Sequence, residues 1–197
     1  MKTRSLFILL LTLLLLSLGC RTSPDPRGDE VRATLDSKEA LDLAFEDYLE
    51  GYELDPFVLR GSTGPQVFET HLNRKVSAME NLLARFQNAL TGEEYGQEPH
   101  TWATLRLAQL HLNLGCELQL LELPDGLTTQ EKIHYRAALG ELIVPLVAHA
   151  RSQIEALEPY HGGTYAYSVD RLQRIFREEG NDLFGICERT VDYWASQ

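Results

Sequence analysis

The spacing of apolar residues from residue 34 onward predicts a helical protein. Apolar positions recur three and four residues apart, which is the period of an α-helix that buries one face. The first such stripe is formed by Leu41, Ala44, Phe45, Tyr48 and Leu49. No run of alternating β-branched residues, the pattern typical of a strand, interrupts this spacing. The fold class is therefore expected to be all-α.

Segments rich in glycine or proline divide this pattern into six predicted helices. The helices cover residues 37–54, 66–90, 100–123, 129–157, 165–177 and 182–195. Gly115 is expected to hinge the third helix, because glycine is unfavourable inside a helix. Pro145 is expected to kink or split the fourth, because proline removes a helical hydrogen bond. Short connections between long helices predict antiparallel hairpins that pack side by side.

The first 20 residues have the organisation of an export signal. Lys2 and Arg4 precede an apolar run over residues 6–18, which is short for a membrane span and suits the hydrophobic part of a secretory signal. The run ends at Gly19 and Cys20, and this end resembles the lipobox of bacterial lipoproteins. The resemblance implies that residues 1–19 are a signal peptide and that Cys20 carries the lipid, such as palmitate. An ordinary cleaved signal and an uncleaved anchor are the alternatives.

Residues 20–33 are expected to connect the lipid to the folded domain. They contain Pro24, Pro26 and Gly28 and almost no apolar side chain, which is typical of a flexible tether. The domain proper is then residues 34–197, and the lipid alone supplies membrane attachment. Arg21 follows the lipidated cysteine, and by the same resemblance this favours the outer membrane, with the domain facing the periplasm.

Several positions in the helical part resemble tetratricopeptide repeats. Two helices close on an acidic residue and a proline, at residues 52–56 and 154–159. Small and aromatic residues recur at the spacings of the repeat's two helices, as at Leu107, Ala108, His111 and Gly115. The resemblance implies a right-handed array of helical hairpins that binds other proteins. A generic leucine-rich helical bundle is the alternative architecture.

The charge of the chain excludes some classes of partner. Eighteen lysine and arginine residues stand against 29 acidic ones, which gives a formal net charge of −11. Without Lys2 and Arg4 of the leader the charge becomes −13. Nucleic acid is not expected to be a partner, because phosphate binding requires a concentrated basic surface. Adsorption to anionic lipid through a basic face is disfavoured for the same reason.

Candidate binding residues fall in two places. One is a tyrosine-rich turn around a glycine pair, since tyrosine is favoured in binding surfaces. The other is a single histidine within an apolar helix, which is either a core residue or part of a groove. The candidates are Tyr160, His161, Tyr165, Tyr167 and His111. The alternative for the turn is that its aromatic rings cap the core.

Two cysteines remain once Cys20 is assigned to lipid. Cys116 and Cys187 are expected by default to be buried free thiols, as buried cysteines commonly are. The cell envelope also permits a disulfide, which requires their two helices to touch.

No catalytic residue, metal site or cofactor is predicted. Glu131 and His134 have the Glu-x-x-His spacing found in metal sites of helical bundles, but no second such motif completes a site. A solvated helix surface is therefore the expectation there. His149 and His161 flank a predicted turn and could meet in space, although the six histidines lack paired zinc-site spacing.

The sequence therefore predicts a lipid-anchored protein of the cell envelope that is not an enzyme. The expected role is a protein–protein interaction scaffold or assembly factor that binds an envelope protein through a helical-repeat surface. The alternative is a small-ligand-binding lipoprotein with a pocket between helical hairpins near the tyrosine-rich turn.

Overall fold

The computed structural model describes residues 38–52, 54, 65–91, 97–123, 126–157 and 163–196. The predicted signal peptide, Cys20 and the tether lie outside these residues, as do Tyr160 and His161. The described residues form helices and no strand, which confirms the all-α expectation. The helices are α1 (Lys38–Gly51), α2 (Pro65–Thr91), α3 (Gln97–Leu120), α4 (Thr129–Ala156), α5 (Ala166–Glu179) and α6 (Leu183–Ala195).

The helix ends lie within three residues of the predicted ones, because local signals set them. A capping box starts α4: the backbone N–H of Glu131 donates to the Thr128 hydroxyl at 3.3 Å, and the N–H of Thr128 donates to the Glu131 carboxylate at 3.1 Å. The Asp182 carboxylate accepts from the N–H of Phe184 at 3.1 Å and starts α6. Gly180 ends α5 with a φ of +57°, a conformation that favours glycine.

The expected division of α3 at Gly115 is wrong, because α3 is one continuous helix. α4 is likewise not split at Pro145, which leaves a kink as the remaining form of that expectation. Gly115 lies where α3 approaches α4 closely: a Cβ there would be 3.4 Å from side-chain atoms of Leu146 and Val147. Tertiary packing along α3 and α4 therefore outweighs the unfavourable helix propensities of Gly115 and Pro145, as is usual for a helix inside a fold.

The first three helices pack as one layer of the fold. α2 contacts both α1 and α3. On α2 and α3, Lys75 pairs with Glu117, and the ring of Phe86 lies 5.4 Å from that of Trp102. Because the positions rise on one helix as they fall on the other, α2 and α3 are antiparallel. α1 also reaches α3 directly, since the Asp42 carboxylate accepts from the Trp102 indole N–H at 2.9 Å.

The last four helices close into a four-helix bundle. α3 and α4 are antiparallel, because His111 stacks on His149 while Arg136 donates to the Gln119 carbonyl nearer the other end. α4 contacts α5, α5 contacts α6, and α6 returns to α3. α3 therefore belongs to both halves of the domain.

This central position explains the composition of α3. Every residue of 102–118 is buried except Arg106, His111 and Glu117, which are half-buried. A helix that is apolar on all sides is expected to lie inside a fold, with neighbours on every face. The three half-buried polar residues each bind a partner on a neighbouring helix or on α3 itself.

Cys116 of α3 and Cys187 of α6 form a disulfide, with their Cα atoms 4.9 Å apart. The default expectation of two free thiols is therefore wrong. Both residues are buried, at 1% and 0% exposure, because the return of α6 to α3 brings them together inside the bundle. The bond joins positions 71 residues apart and covalently closes the four-helix bundle.

A buried ion pair joins α2 to α3 on the other side of the central helix. Lys75 is fully buried, and its Nζ lies 2.6 Å from Oε1 of Glu117 and 4.8 Å from the centre of the Tyr48 ring. The second oxygen of Glu117 accepts from the backbone N–H of Leu54 at 3.2 Å. Burial, together with the negative charge of Glu117, raises the pKa of Tyr48 far above its ordinary value and keeps its hydroxyl protonated.

Candidate functional site

His111 lies at the α3–α4 contact and is paired with His149 rather than left alone. The two rings are nearly parallel, at 15°, with centres 5.6 Å apart. Each Nδ1 lies within hydrogen-bond distance of the carbonyl oxygen four residues earlier on its own helix, Leu107 at 2.8 Å and Pro145 at 2.7 Å. Because a carbonyl only accepts, each Nδ1 carries a proton and donates it, so the neutral ring has its lone pair on Nε2.

The surroundings of His111 favour its neutral form. Burial is the largest effect and lowers the pKa of His111 below 6.5. The Leu107 carbonyl and the side chain of Gln153 act in the opposite direction, and the neighbouring charge of His149 adds to the lowering. Protonation of His111 is therefore less favourable in the folded chain than in the unfolded chain.

Stability is expected to fall in mild acid because of His111. Above the ordinary pKa of 6.5 both folded and unfolded chains carry it neutral, and it has no effect on the pH dependence. As the pH falls below 6.5, the unfolded chain takes up a proton that the folded chain resists, so the free energy of unfolding decreases. His111→Gln should make this decrease shallower, measured by urea denaturation between about pH 7.5 and 5.

His134→Gln is the matched control, because His134 is an exposed histidine on α4. The pH dependence of the free energy of unfolding should be shallower in His111→Gln than in His134→Gln. An equal pH dependence in the two variants would contradict the assignment, even if His111→Gln were less stable at every pH.

The tyrosine candidates do not join His111 in one site. Tyr165 lies at the start of α5, where the ammonium of Lys38 is 5.1 Å from its ring and 5.7 Å from the ring of Trp102. His111 is nine residues from Trp102 along α3, about 13 Å. Tyr167 is 67% exposed with its ring 6.3 Å from that of Tyr193. Tyr165 therefore packs near the ends of α1 and α3, and Tyr167 is available at the surface.

An open groove lies between α4 and the start of α6, and sequence reasoning did not predict it. Its volume is about 410 Å³. Its walls are formed by Val144, Val147, Ala148, Arg151, Ser152, Glu155, Asn181 and Leu183, of which Val144, Ala148, Ser152, Glu155 and Asn181 are exposed. We call this the α4–α6 groove. Val144 is 52% exposed, and so is Phe184 next to Leu183, which places large apolar side chains in contact with solvent.

Arg151 fixes the shape of one end of the groove. Its guanidinium donates to the Gly180 carbonyl and to Oδ1 of Asn181, and lies 5.2 Å from the centre of the Phe176 ring. These contacts tie α4 to the turn between α5 and α6. The groove is therefore built on helices with a fixed spacing, which favours a preformed binding surface.

The Glu-x-x-His pair has a structural role in this fold. Glu131 caps the start of α4, and Nε2 of His134 lies 3.0 Å from the side-chain nitrogen of Gln130. Within the described ranges, no group of three or more His, Cys, Asp or Glu side chains is arranged to hold a metal ion. None of the described helices combines the length and apolarity needed to cross a membrane.

Comparison with protein-family models, with curated proteins and with solved structures gives no match to this chain. The functional proposal below therefore rests on the residues and geometry of the chain itself.

Proposed function

We propose that this chain is a lipid-anchored envelope protein that acts as a protein–protein interaction scaffold or assembly factor. The observation that carries the proposal is the α4–α6 groove, in which Val144 exposes apolar surface beside the buried side chain of Val147. Exposed apolar surface on a structured groove is typical of interaction sites. The proposal includes no catalytic step.

The disulfide supports the envelope location. Disulfides form and persist in oxidising compartments and are rare in the reducing cytosol. A bond between Cys116 and Cys187 therefore agrees with export directed by residues 1–19 and with lipidation at Cys20. The proposed location is the periplasmic side of the outer membrane, as the residue after Cys20 favours.

The proposed architecture is a closed bundle rather than an array of repeats. The tetratricopeptide resemblance expects Gly115 at the turn between two helices, whereas Gly115 lies inside the continuous helix α3. The contact between α3 and α6 supports a bundle rather than an open array of hairpins. The binding surface is then the groove on the outside of the bundle rather than the concave face of a superhelix.

Site-specific photo-crosslinking in the native cells tests this function. A benzophenone amino acid at position 144 or 148 of the full lipidated chain should give a discrete adduct with the same envelope protein, identified by mass spectrometry. Leu43 is the matched control position, because it is 62% exposed on α1 and does not line the groove. Absence of an adduct at 144 and 148, or an equal adduct at 43, would contradict the scaffold function.

The volume of the groove favours small-ligand binding as a second candidate. A cavity of about 410 Å³ is within the range of small-molecule sites. However, Tyr165 and Tyr167 are not among its lining residues, and five of the eight are exposed, which suits a partner surface better. Native mass spectrometry of the chain released from its membrane should show a bound mass if this candidate is correct.

A further inference from the structure

We propose that the partner segment in the α4–α6 groove is an amphipathic helix with basic residues beside its apolar face. This inference rests on the proposed function and adds the chemistry of the partner. Three features of the groove support it: its walls, which are mostly the sides of helices, its length and its charge.

The walls leave a bound segment to satisfy its own backbone hydrogen bonds. They are mostly the sides of helices, whose backbone groups bond largely within each helix. Pro145 is the exception on α4, because it has no N–H to donate to the carbonyl four residues earlier. At the turn between α5 and α6, the Gly180 carbonyl accepts from Arg151, and the Phe184 N–H donates to the Asp182 carboxylate. An extended peptide would find no continuous ladder of backbone partners there, whereas a helix needs none.

The dimensions and apolar positions suit a helix. From Val144 to Glu155 the groove follows α4 for eleven residues, about 16 Å, which matches about three turns of a second helix. Val144 and Ala148 are four residues apart on one wall, and Leu183 faces the groove from the other. Apolar residues at helical spacing on the partner could contact both walls along this length.

The charge of the rim specifies a basic partner. Glu155 lies on the wall, Glu141 is exposed one turn before Val144, and Asp182 is exposed directly before Leu183. Arg151 is the one basic side chain among the eight lining residues, and its guanidinium is engaged with Gly180 and Asn181. The whole chain has a net charge of −11, so a second copy of it would be repelled from this rim.

A synthetic peptide tests the inference on the full lipidated chain. The probe is a labelled peptide of about 18 residues with leucine every three to four positions and lysine on both sides of that stripe. The chain is held in nanodiscs of uncharged lipid, with empty nanodiscs as the blank. Saturable binding by fluorescence anisotropy is expected. A peptide with glutamate in place of lysine should bind about tenfold more weakly or not at all.

Charged variants separate groove binding from general attraction to an acidic protein. Val144→Glu and Ala148→Glu are expected to weaken binding about tenfold, although each adds a negative charge that would attract the peptide. Glu155→Lys should weaken it by reversing charge at the rim. Leu43→Glu should leave it unchanged. Binding that strengthens in Val144→Glu and Ala148→Glu, or that is equal for both peptides, would overturn the inference.

The identity of the segment crosslinked in cells distinguishes this inference from the proposed function. Adducts from positions 144 and 148 that map to a basic amphipathic helix support both. Adducts that map to an acidic or extended segment, or to a second copy of this chain, overturn the inference. An envelope protein crosslinked through an acidic or extended segment still leaves the scaffold function standing, whereas the absence of adducts overturns the function itself.

Discussion

Replacing Cys116 and Cys187 together by alanine is expected to lower the free energy of unfolding by roughly 4 kcal/mol. The disulfide joins residues 71 positions apart, so it restricts a large part of the unfolded chain. Both side chains are buried inside the bundle, so the alanine pair adds a small packing loss to the entropic one.

Urea denaturation of the oxidised chain, the reduced chain and the double variant measures this contribution. The reduced chain and the double variant should unfold at similar urea concentrations, both well below the oxidised chain. Alkylation of the protein taken directly from cells, followed by intact-mass measurement, should show no free thiol at either position. A loss below about 1 kcal/mol in the double variant would show that the bond adds little to the fold.

The disulfide also shows where sequence reasoning reached its limit in this protein. Helix positions follow from local signals, such as the cap formed by Thr128 and Glu131, and those predictions hold within three residues. The return of α6 to α3 depends on tertiary packing that no local signal encodes, so the pairing of Cys116 and Cys187 could not be decided. The same packing keeps α3 continuous through Gly115, where propensity alone favours a break.

Only part of the candidate site could be predicted from the sequence, because the rest also depends on tertiary packing. His111 could be selected because a polar residue in an apolar helix is conspicuous in the sequence. Its partner His149 could not, because the pairing requires the antiparallel register of α3 and α4. The groove was missed because Val144 resembles a core residue in sequence, and only the packed bundle shows that it is 52% exposed.

Glu117→Gln is expected to destabilise the chain by roughly 3 kcal/mol, and by more than Lys75→Met does. The glutamine variant removes the negative charge that lies 2.6 Å from the fully buried Lys75 ammonium. Lys75→Met removes that charge and fills the space with an apolar chain of similar length. The Glu117 carboxylate left behind has 23% side-chain exposure and can be hydrated, so the expected loss is about 1 kcal/mol.

The double variant Lys75→Met with Glu117→Gln tests why the two single variants are expected to differ in their free energies of unfolding. It removes both charges while the glutamine oxygen can still accept from the backbone N–H of Leu54, as Glu117 does at 3.2 Å. Its free energy of unfolding, measured in urea, should therefore lie within about 1 kcal/mol of the original chain and above that of Glu117→Gln alone. Equal losses in the two single variants, or additive losses in the double variant, would show that the buried charge of Lys75 does not depend on Glu117. The ordering expected here follows from burial alone: in a pair of opposite charges, the member with less access to water suffers more when its partner is removed.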